Sequence, residues 1–220
     1  MEKYTDRVMA GKILATHLSD YANRKDVIVL ALPRGGVPVA NEIANALHAP
    51  LDVFIVRKLG VPGHAELAMG AIASGDTVVF NDDIISDLDI SRDSISRVME
   101  DEKRELKRRE QAYRGNQPFP VLSNKIIVLV DDGIATGASM RAAIASLKKF
   151  GPAKIVVAVP VAEKILADEM EMMVDDFICP LRPKQFYAVG AWYQDFSQTE
   201  DEEVHALLKA SLLVKSDDKL

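Results

Sequence analysis

Short apolar runs, each closed by turn residues, alternate along the chain with longer stretches in which charged and apolar positions are mixed. VIVLAL (27–32) opens the series and gives way to Pro33-Arg34-Gly35-Gly36, after which 37–47 carries a helical pattern. LDVFIVRKL (51–59) reads as a second strand running into a loop rich in glycine and proline. MGAIAS and TVVFN, within 69–81, read as two short strands around the turn Ser74-Gly75-Asp76. KIIVLV (125–130) is the next strand, followed by a turn and a helix over 138–149 that stops at Gly151-Pro152. KIVVAVP (154–160), a helix near 161–173 and a short strand in DFICP complete the alternation. Strands that are apolar at nearly every position, separated by helix-length segments, are covered on both faces. They predict an α/β fold: an open, mostly parallel sheet with helices on both sides. Ligands of such sheets collect outside the carboxyl ends of the strands.

Three pieces fall outside the alternation: a helix-like N-terminal segment over 3–23, the charged stretch 91–115, and the tail after 181. The run KRELKRRE within 91–115 invites a polyanion reading. Its glutamates, however, stand at helical spacing beside the basic residues, so a solvated helix with internal ion pairs is the expectation. No chemistry is assigned to it.

The stretch IIVLVDDGIATGAS (126–139) is different in kind. An apolar strand ends in two adjacent carboxylates that repel each other, then in small residues with little packing value. A helix follows, and its N-terminus presents unpaired N–H groups and a partial positive charge. Small residues let a phosphate approach those groups, and Thr136 and Ser139 add hydroxyl donors. Asp131 and Asp132 are poor partners for phosphate but good acceptors for sugar hydroxyls. One ligand satisfies both halves: a ribose with its 5′-phosphate in the loop and its 2′- and 3′-hydroxyls on the aspartates. Other nucleotide motifs fit badly, since no lysine follows Gly137 and the G-x-G-x-x-G fingerprint is absent.

Composition narrows the field further. With 220 residues, 48% of them hydrophobic, the chain has enough material for a real core. A formal net charge of -6 argues against a nucleic-acid binder built on a broad basic surface, so no nucleic-acid partner is expected. The lone Cys179 has no internal disulfide partner, which points to a reducing cytoplasm. The first residues lack the apolar core of a signal peptide. No window approaches the ~18 apolar residues of a membrane span, so no membrane partner is expected either.

The segment Asp131-Asp132-Gly133-Ile134-Ala135-Thr136-Gly137-Ala138-Ser139, behind its strand, resembles the phosphoribosyl-pyrophosphate (PRPP) motif of type I phosphoribosyltransferases. The resemblance extends over roughly 27–195 and is strongest to the group known only as "predicted phosphoribosyltransferases". It implies that Ala135, Thr136, Gly137, Ala138 and Ser139 bind the 5′-phosphate. Pro33, Arg34, Gly35 and Gly36 match the family's pyrophosphate-binding loop. Arg57 and Lys58 would enter a mobile lid around Gly60–Gly63, which also carries His64 and Glu66. Phe186 or Tyr187 would stack on the acceptor from a C-terminal hood strand, with Asp195 as the acid beyond. The expected organisation is one domain over 1–220, with a helical insertion at about 84–115 and a hood over about 181–220. A homodimer is also implied, though no residue locates its interface.

The implied reaction is loss of pyrophosphate from C1 of the ribose as a ring nitrogen of a base arrives, through an oxocarbenium-like transition state. Leaving-group stabilisation then calls for Mg²⁺, held mainly by ligand oxygens and water with Asp131 or Asp132 as outer contributors, plus Arg34, Arg57 and Lys58. Asp131 and Asp132 also position the ribose for attack. The acceptor is left open: 6-oxopurine salvage enzymes carry an aspartate where this chain has Ala135, and the 32–36 turn does not match the adenine enzymes. Two other classes compete. A regulator that senses PRPP or a nucleotide on the same fold has no need of a basic lid. A haloacid-dehalogenase-type hydrolase needs D-x-D, whereas Asp131 and Asp132 are adjacent.

Overall fold

The structure, a computed structural model, describes residues 3–217, with the side chains of 65, 66 and 212–217 left aside. In chain order the strands are β1 (Val27–Ala31), β2 (Leu51–Val53), β3 (Val56–Val61), β4 (His64–Ala73), β5 (Thr77–Phe80), β6 (Ile126–Val130), β7 (Lys154–Ala158) and β8 (Asp176–Ile178). The helices are α1 (Arg7–Thr16), α2 (Gly36–Leu47), α3 (Asp82–Asp87), α4 (Arg92–Arg114), α5 (Ala138–Lys148), α6 (Lys164–Glu171) and α7 (Asp201–Asp217). Five strands form a parallel sheet in the order β2-β1-β6-β7-β8, and β3-β4-β5 form a separate antiparallel sheet.

Why the central strands are apolar throughout is visible in their register. Val27, Val29 and Ala31 of β1, with Val128 and Val130 of β6, face one core, packed with α1, α2 and α7. Ile28 and Leu30, with Ile127 and Leu129, face the other, packed with α5 and α6. Each residue is buried, and the period of two only decides on which side. Crossovers from β1 run toward β2 and those from β6 toward β7, so the chain reverses direction between β1 and β6. That gap is a topological switch point, where open α/β sheets leave a crevice. The N-termini of α2 and α5 both begin beside it.

One expected strand divides. The run 51–59 supplies β2 to the main sheet and then leaves it at Phe54-Ile55. The Phe54 N–H still donates to the Ala31 carbonyl (2.8 Å), but the Ile55 N–H donates to Ser74 Oγ (3.0 Å). From there the chain enters the β3-β4 hairpin, whose turn is Pro62-Gly63. Val53 through Val56 are all apolar, so hydropathy carries no mark of the break. The N-terminal segment is also shorter than expected, with α1 followed by a single 3-10 turn at Ser19–Tyr21.

The charged stretch forms α4, capped by Ser91 and stopped at Gly115, whose φ is +62°. Its surface carries the expected ion pairs, Arg104–Asp101, Arg108–Glu105 and Arg109–Glu105. It also buries Leu106 and Tyr113, so it is docked. Arg114 is the anchor: its side chain is 7% exposed, contacts both Asp52 carboxylate oxygens at 3.1 Å, donates to the Val53 carbonyl and lies over the Phe119 ring. Removing one member of a buried charge pair costs ~3–5 kcal/mol. Arg114→Ala is therefore expected to lose about that much in urea unfolding. Asp52→Asn in the same background should recover part of it. A loss below ~1 kcal/mol would show that α4 is held by its apolar contacts instead.

Candidate active site

Two loops meet at the switch point. After β1, residues 33–35 turn sharply into α2, and the Leu32 N–H donates to the Val130 carbonyl (2.9 Å), fastening this turn to the end of β6. The peptide bond between Pro33 and Arg34 is cis. Within the turn, the Gly36 N–H donates to the Leu32 carbonyl (3.1 Å) and the Val37 N–H to the Arg34 carbonyl (3.0 Å). A Cβ built on Gly35 stands 2.0 Å from Asp132 Oδ2, and one on Gly36 stands 2.8 Å from the Val130 carbonyl oxygen. No side chain fits at either position, and the backbone lies directly against the diacid.

The diacid is itself held from three sides. Arg7, at the first position of α1, donates from Nε to Asp132 Oδ2 (2.9 Å), and its Nη2 stands 2.8 Å from the same oxygen. The same guanidinium donates to the Ser197 carbonyl (2.6 Å) and stacks 4.0 Å from the Phe196 ring centroid. The Tyr193 hydroxyl donates to the Asp132 carbonyl (2.6 Å), and the Asp132 N–H donates to Asp131 Oδ1 (2.9 Å). Burial raises both carboxyls above their ordinary range. In Asp131 the neighbouring Asp132 charge adds to this, whereas in Asp132 the Arg7 guanidinium opposes it. Asp132 is thus committed to Arg7, and Asp131 is the acid that borders open space. No cluster of three or more His, Cys, Asp or Glu suited to a metal exists among the described residues.

Beyond the diacid, a recess of 190 Å³ is lined by Asp131, Gly133 through Met140, and Val189. Gly137 takes φ +75° and leads into α5, whose N-terminus has no side-chain cap. Arg141 braces the loop from below by donating to the Thr136 carbonyl (2.6 Å). The result is a small-residue pocket over an open helix N-terminus, the arrangement that binds phosphate.

Residues 2–189 match the family model described as the phosphoribosyl transferase domain. The chain belongs to that family. Two Mycobacterium tuberculosis proteins, from strains CDC 1551 and H37Rv and provisionally named phosphoribosyl transferases, are each 42% identical over 208 residues, 94% of this chain. Those residues are 47% of each relative, so the chain spans about half the length of the curated relatives it matches. The crystal structure of TT1426 from Thermus thermophilus is 38% identical with a TM-score of 0.83, over 94% of this chain and 97% of that one.

Within the phosphoribosyl transferase frame, the structure brings together residues 33–36, 131–132 and 135–139 and leaves other expected residues apart. Arg57 is held by Glu102 of α4, with both Nε and Nη2 2.7 Å from Oε2. Lys58 is exposed on β3, and His64 is exposed at the start of β4; the side chain of Glu66 is outside those described. The hood is not a strand. Residues 181–196 form bridges at Leu181 and Tyr193 and a 3-10 turn at Val189–Trp192, because Pro183 and Gly190 interrupt any pleat and the N-terminal residues Tyr4 and Thr5 supply its hydrogen-bond partners. Phe186 packs against the Tyr4–Tyr193 cluster, Tyr187 is 89% exposed, and the Asp195 carboxylate accepts from the Ser197 N–H (2.9 Å). Val189 and Tyr193 touch the site instead. The residue that sequence reasoning missed is Arg7. Its signal was a basic residue in the first turn of a helix, where the macrodipole disfavours positive charge.

Gly35→Ala drives a methyl group into Asp132 and is expected to cost ~1–3 kcal/mol in thermal or urea unfolding; wild-type stability would mean the turn is loose. The raised Asp131 pKa has a definite sign: the folded protein holds a proton that the unfolded chain releases. That stabilisation is complete below the ordinary carboxylate value of about 4 and fades as pH rises through the raised one. Asp131→Asn abolishes the fade, so its stability relative to wild type should increase as pH rises from about 4 through the raised value. Parallel curves would contradict the burial argument.

Proposed function

We propose that this chain is a Mg²⁺-dependent phosphoribosyltransferase, moving the phosphoribosyl group of PRPP to a nucleobase acceptor with release of pyrophosphate. The observation that carries the reading is the convergence at one switch point of two helix N-termini without side-chain caps and a buried diacid. The α5 N-terminus takes the 5′-phosphate, Asp131 accepts hydrogen bonds from the ribose hydroxyls, and the 33–36 turn with Arg34 receives the pyrophosphate. Asp132 keeps Asp131 and the turn in register through Arg7 and Tyr193. The donor set fits Mg²⁺ held chiefly by substrate oxygens and water, with Asp131 as the side chain that accepts from its waters. When bound, Mg²⁺ supplies charge neutralisation at the departing pyrophosphate.

Lys58, exposed on the hairpin, is the residue to meet the pyrophosphate when that hairpin moves. Arg57 joins it only on release from Glu102. That engagement favours a second reading, a protein that senses PRPP or a nucleotide on the same fold with little turnover. Pyrophosphate release, assayed over a panel of nucleobases, separates the two.

Calorimetric titration of wild type with PRPP and Mg²⁺ is expected to show binding that Asp131→Asn/Asp132→Asn loses. Each lost charged contact removes ~2.7–4 kcal/mol of transition-state stabilisation, a fall of about 10²–10³ in kcat where turnover is seen. A folded wild type that does not bind PRPP would overturn the proposal.

A further inference from the structure

At the edge of the 33–36 turn, one recess gathers positive charge from two distant parts of the chain. Arg34 projects from the pyrophosphate turn, and Arg108 and Arg109 project from α4; with Ala112, Tyr113 and Asp201 they line a space of 230 Å³. That exceeds several times the ~30 Å³ share of a water molecule. The resident counter-charges are poorly placed. Arg34 Nη1 lies 3.6 Å from Glu200 Oε2 and 3.6 Å from Asp201 Oδ1, beyond good hydrogen-bond length, and these two acids are 60% and 58% exposed. Pairs of that kind hold weakly. Arg108 and Arg109 share a single carboxylate, Glu105, which two arginines keep ionised with its pKa lowered to about 2. Arg108 meets it through two nitrogens, 2.7 and 2.9 Å away. Arg109 gives it only Nε (2.8 Å), and its terminal nitrogens make no hydrogen bond among the described residues. Asp201 is steadied from the other side by the Tyr113 hydroxyl, which donates to Oδ1 (2.7 Å).

We propose that this recess is a second anion site, built for a pyrophosphate group, in which Glu200 and Asp201 occupy the place of the anion until it arrives. The inference rests on the pyrophosphate role of residues 33–36, and assigns a purpose to the docked helix α4 that neither its ion pairs nor its packing requires. A condensed phosphate presents several oxygens to planar guanidinium groups and makes paired, charge-assisted contacts that the two carboxylates do not achieve. Its arrival at Arg34 displaces the N-terminal acids of α7. The pyrophosphate group belongs either to PRPP or to the free product, and titration with each ligand separates those sources.

The experiment is calorimetric titration with sodium pyrophosphate and, separately, with PRPP and Mg²⁺, on wild type, Arg108→Gln/Arg109→Gln, and Glu200→Gln/Asp201→Asn. The arginine variant is expected to bind pyrophosphate about tenfold or more weakly, and the acid variant several-fold more tightly. Weakening of PRPP in the same proportion assigns the site to substrate; weakening of free pyrophosphate alone assigns it to product. The opposite signs matter, because a merely structural network is damaged from either side: weakening by both variants overturns the proposal, as does pyrophosphate binding that ignores Arg108 and Arg109. If PRPP binds to wild type and is lost with the diacid while the arginine variant behaves as wild type, the recess fails and the phosphoribosyl reading stands. If pyrophosphate binding depends on the arginines and PRPP does not bind, the reverse holds.

Discussion

The packing of Gly35 against the Asp132 carboxylate is the contact on which the rest of the site depends. It forces the turn after β1 and the loop after β6 into a single unit, because no Cβ fits between them. Once these are joined, the N-termini of α2 and α5 open on the same crevice. The cost is two carboxyls buried side by side. A fold retains such a liability where something else uses the charge, and Arg7 shows how it is contained here. One guanidinium neutralises Asp132, stacks on Phe196 and ties down Ser197, so that the N-terminal helix and the C-terminal segment are both fastened through the acid they surround.

This explains why the sheet was readable in the chain and the surroundings of the site were not. β1, β6 and β7 lie in the sheet interior with cores on both faces, and burial on both faces leaves an apolar run that no other architecture explains as simply. The turn after β6 was equally legible as a loop at a strand's carboxyl end, but the packing role of Asp132 against Gly35 and Arg7 was not. The break at Phe54-Ile55 left no trace, because Val53 through Val56 form one unbroken apolar run across it. Nor did the hood: Tyr4 and Thr5, which pair with its later part, lie at the opposite end of the chain, and a segment that pairs only at isolated bridges has no period to detect. Aromatic residues expected on that strand went to separate fates, Phe186 inward and Tyr187 outward.

Arg57 and Arg34 teach a related lesson about basic residues. Each was expected in the site, and each is met in the structure by an acid to which sequence reading had given no role: Glu102 of α4 for Arg57, and Glu200 with Asp201 at the start of α7 for Arg34. Spacing along a chain shows which charges a loop carries. It does not show which counter-charges the rest of the fold brings to them.

Burial orders these contacts by how readily they exchange. Arg7 and Asp132 are 12% and 14% exposed and lie close, so that parting them strands a charge in a poorly solvated place. This pair therefore acts as framework. The acids that face Arg34 are more than half open to water and stand more than a hydrogen bond away, so solvent and salt already compete for them. Arg57 with Glu102 lies between, a quarter exposed at 2.7 Å. The gradient in burial, more than any single charge, ranks how readily these pairs part.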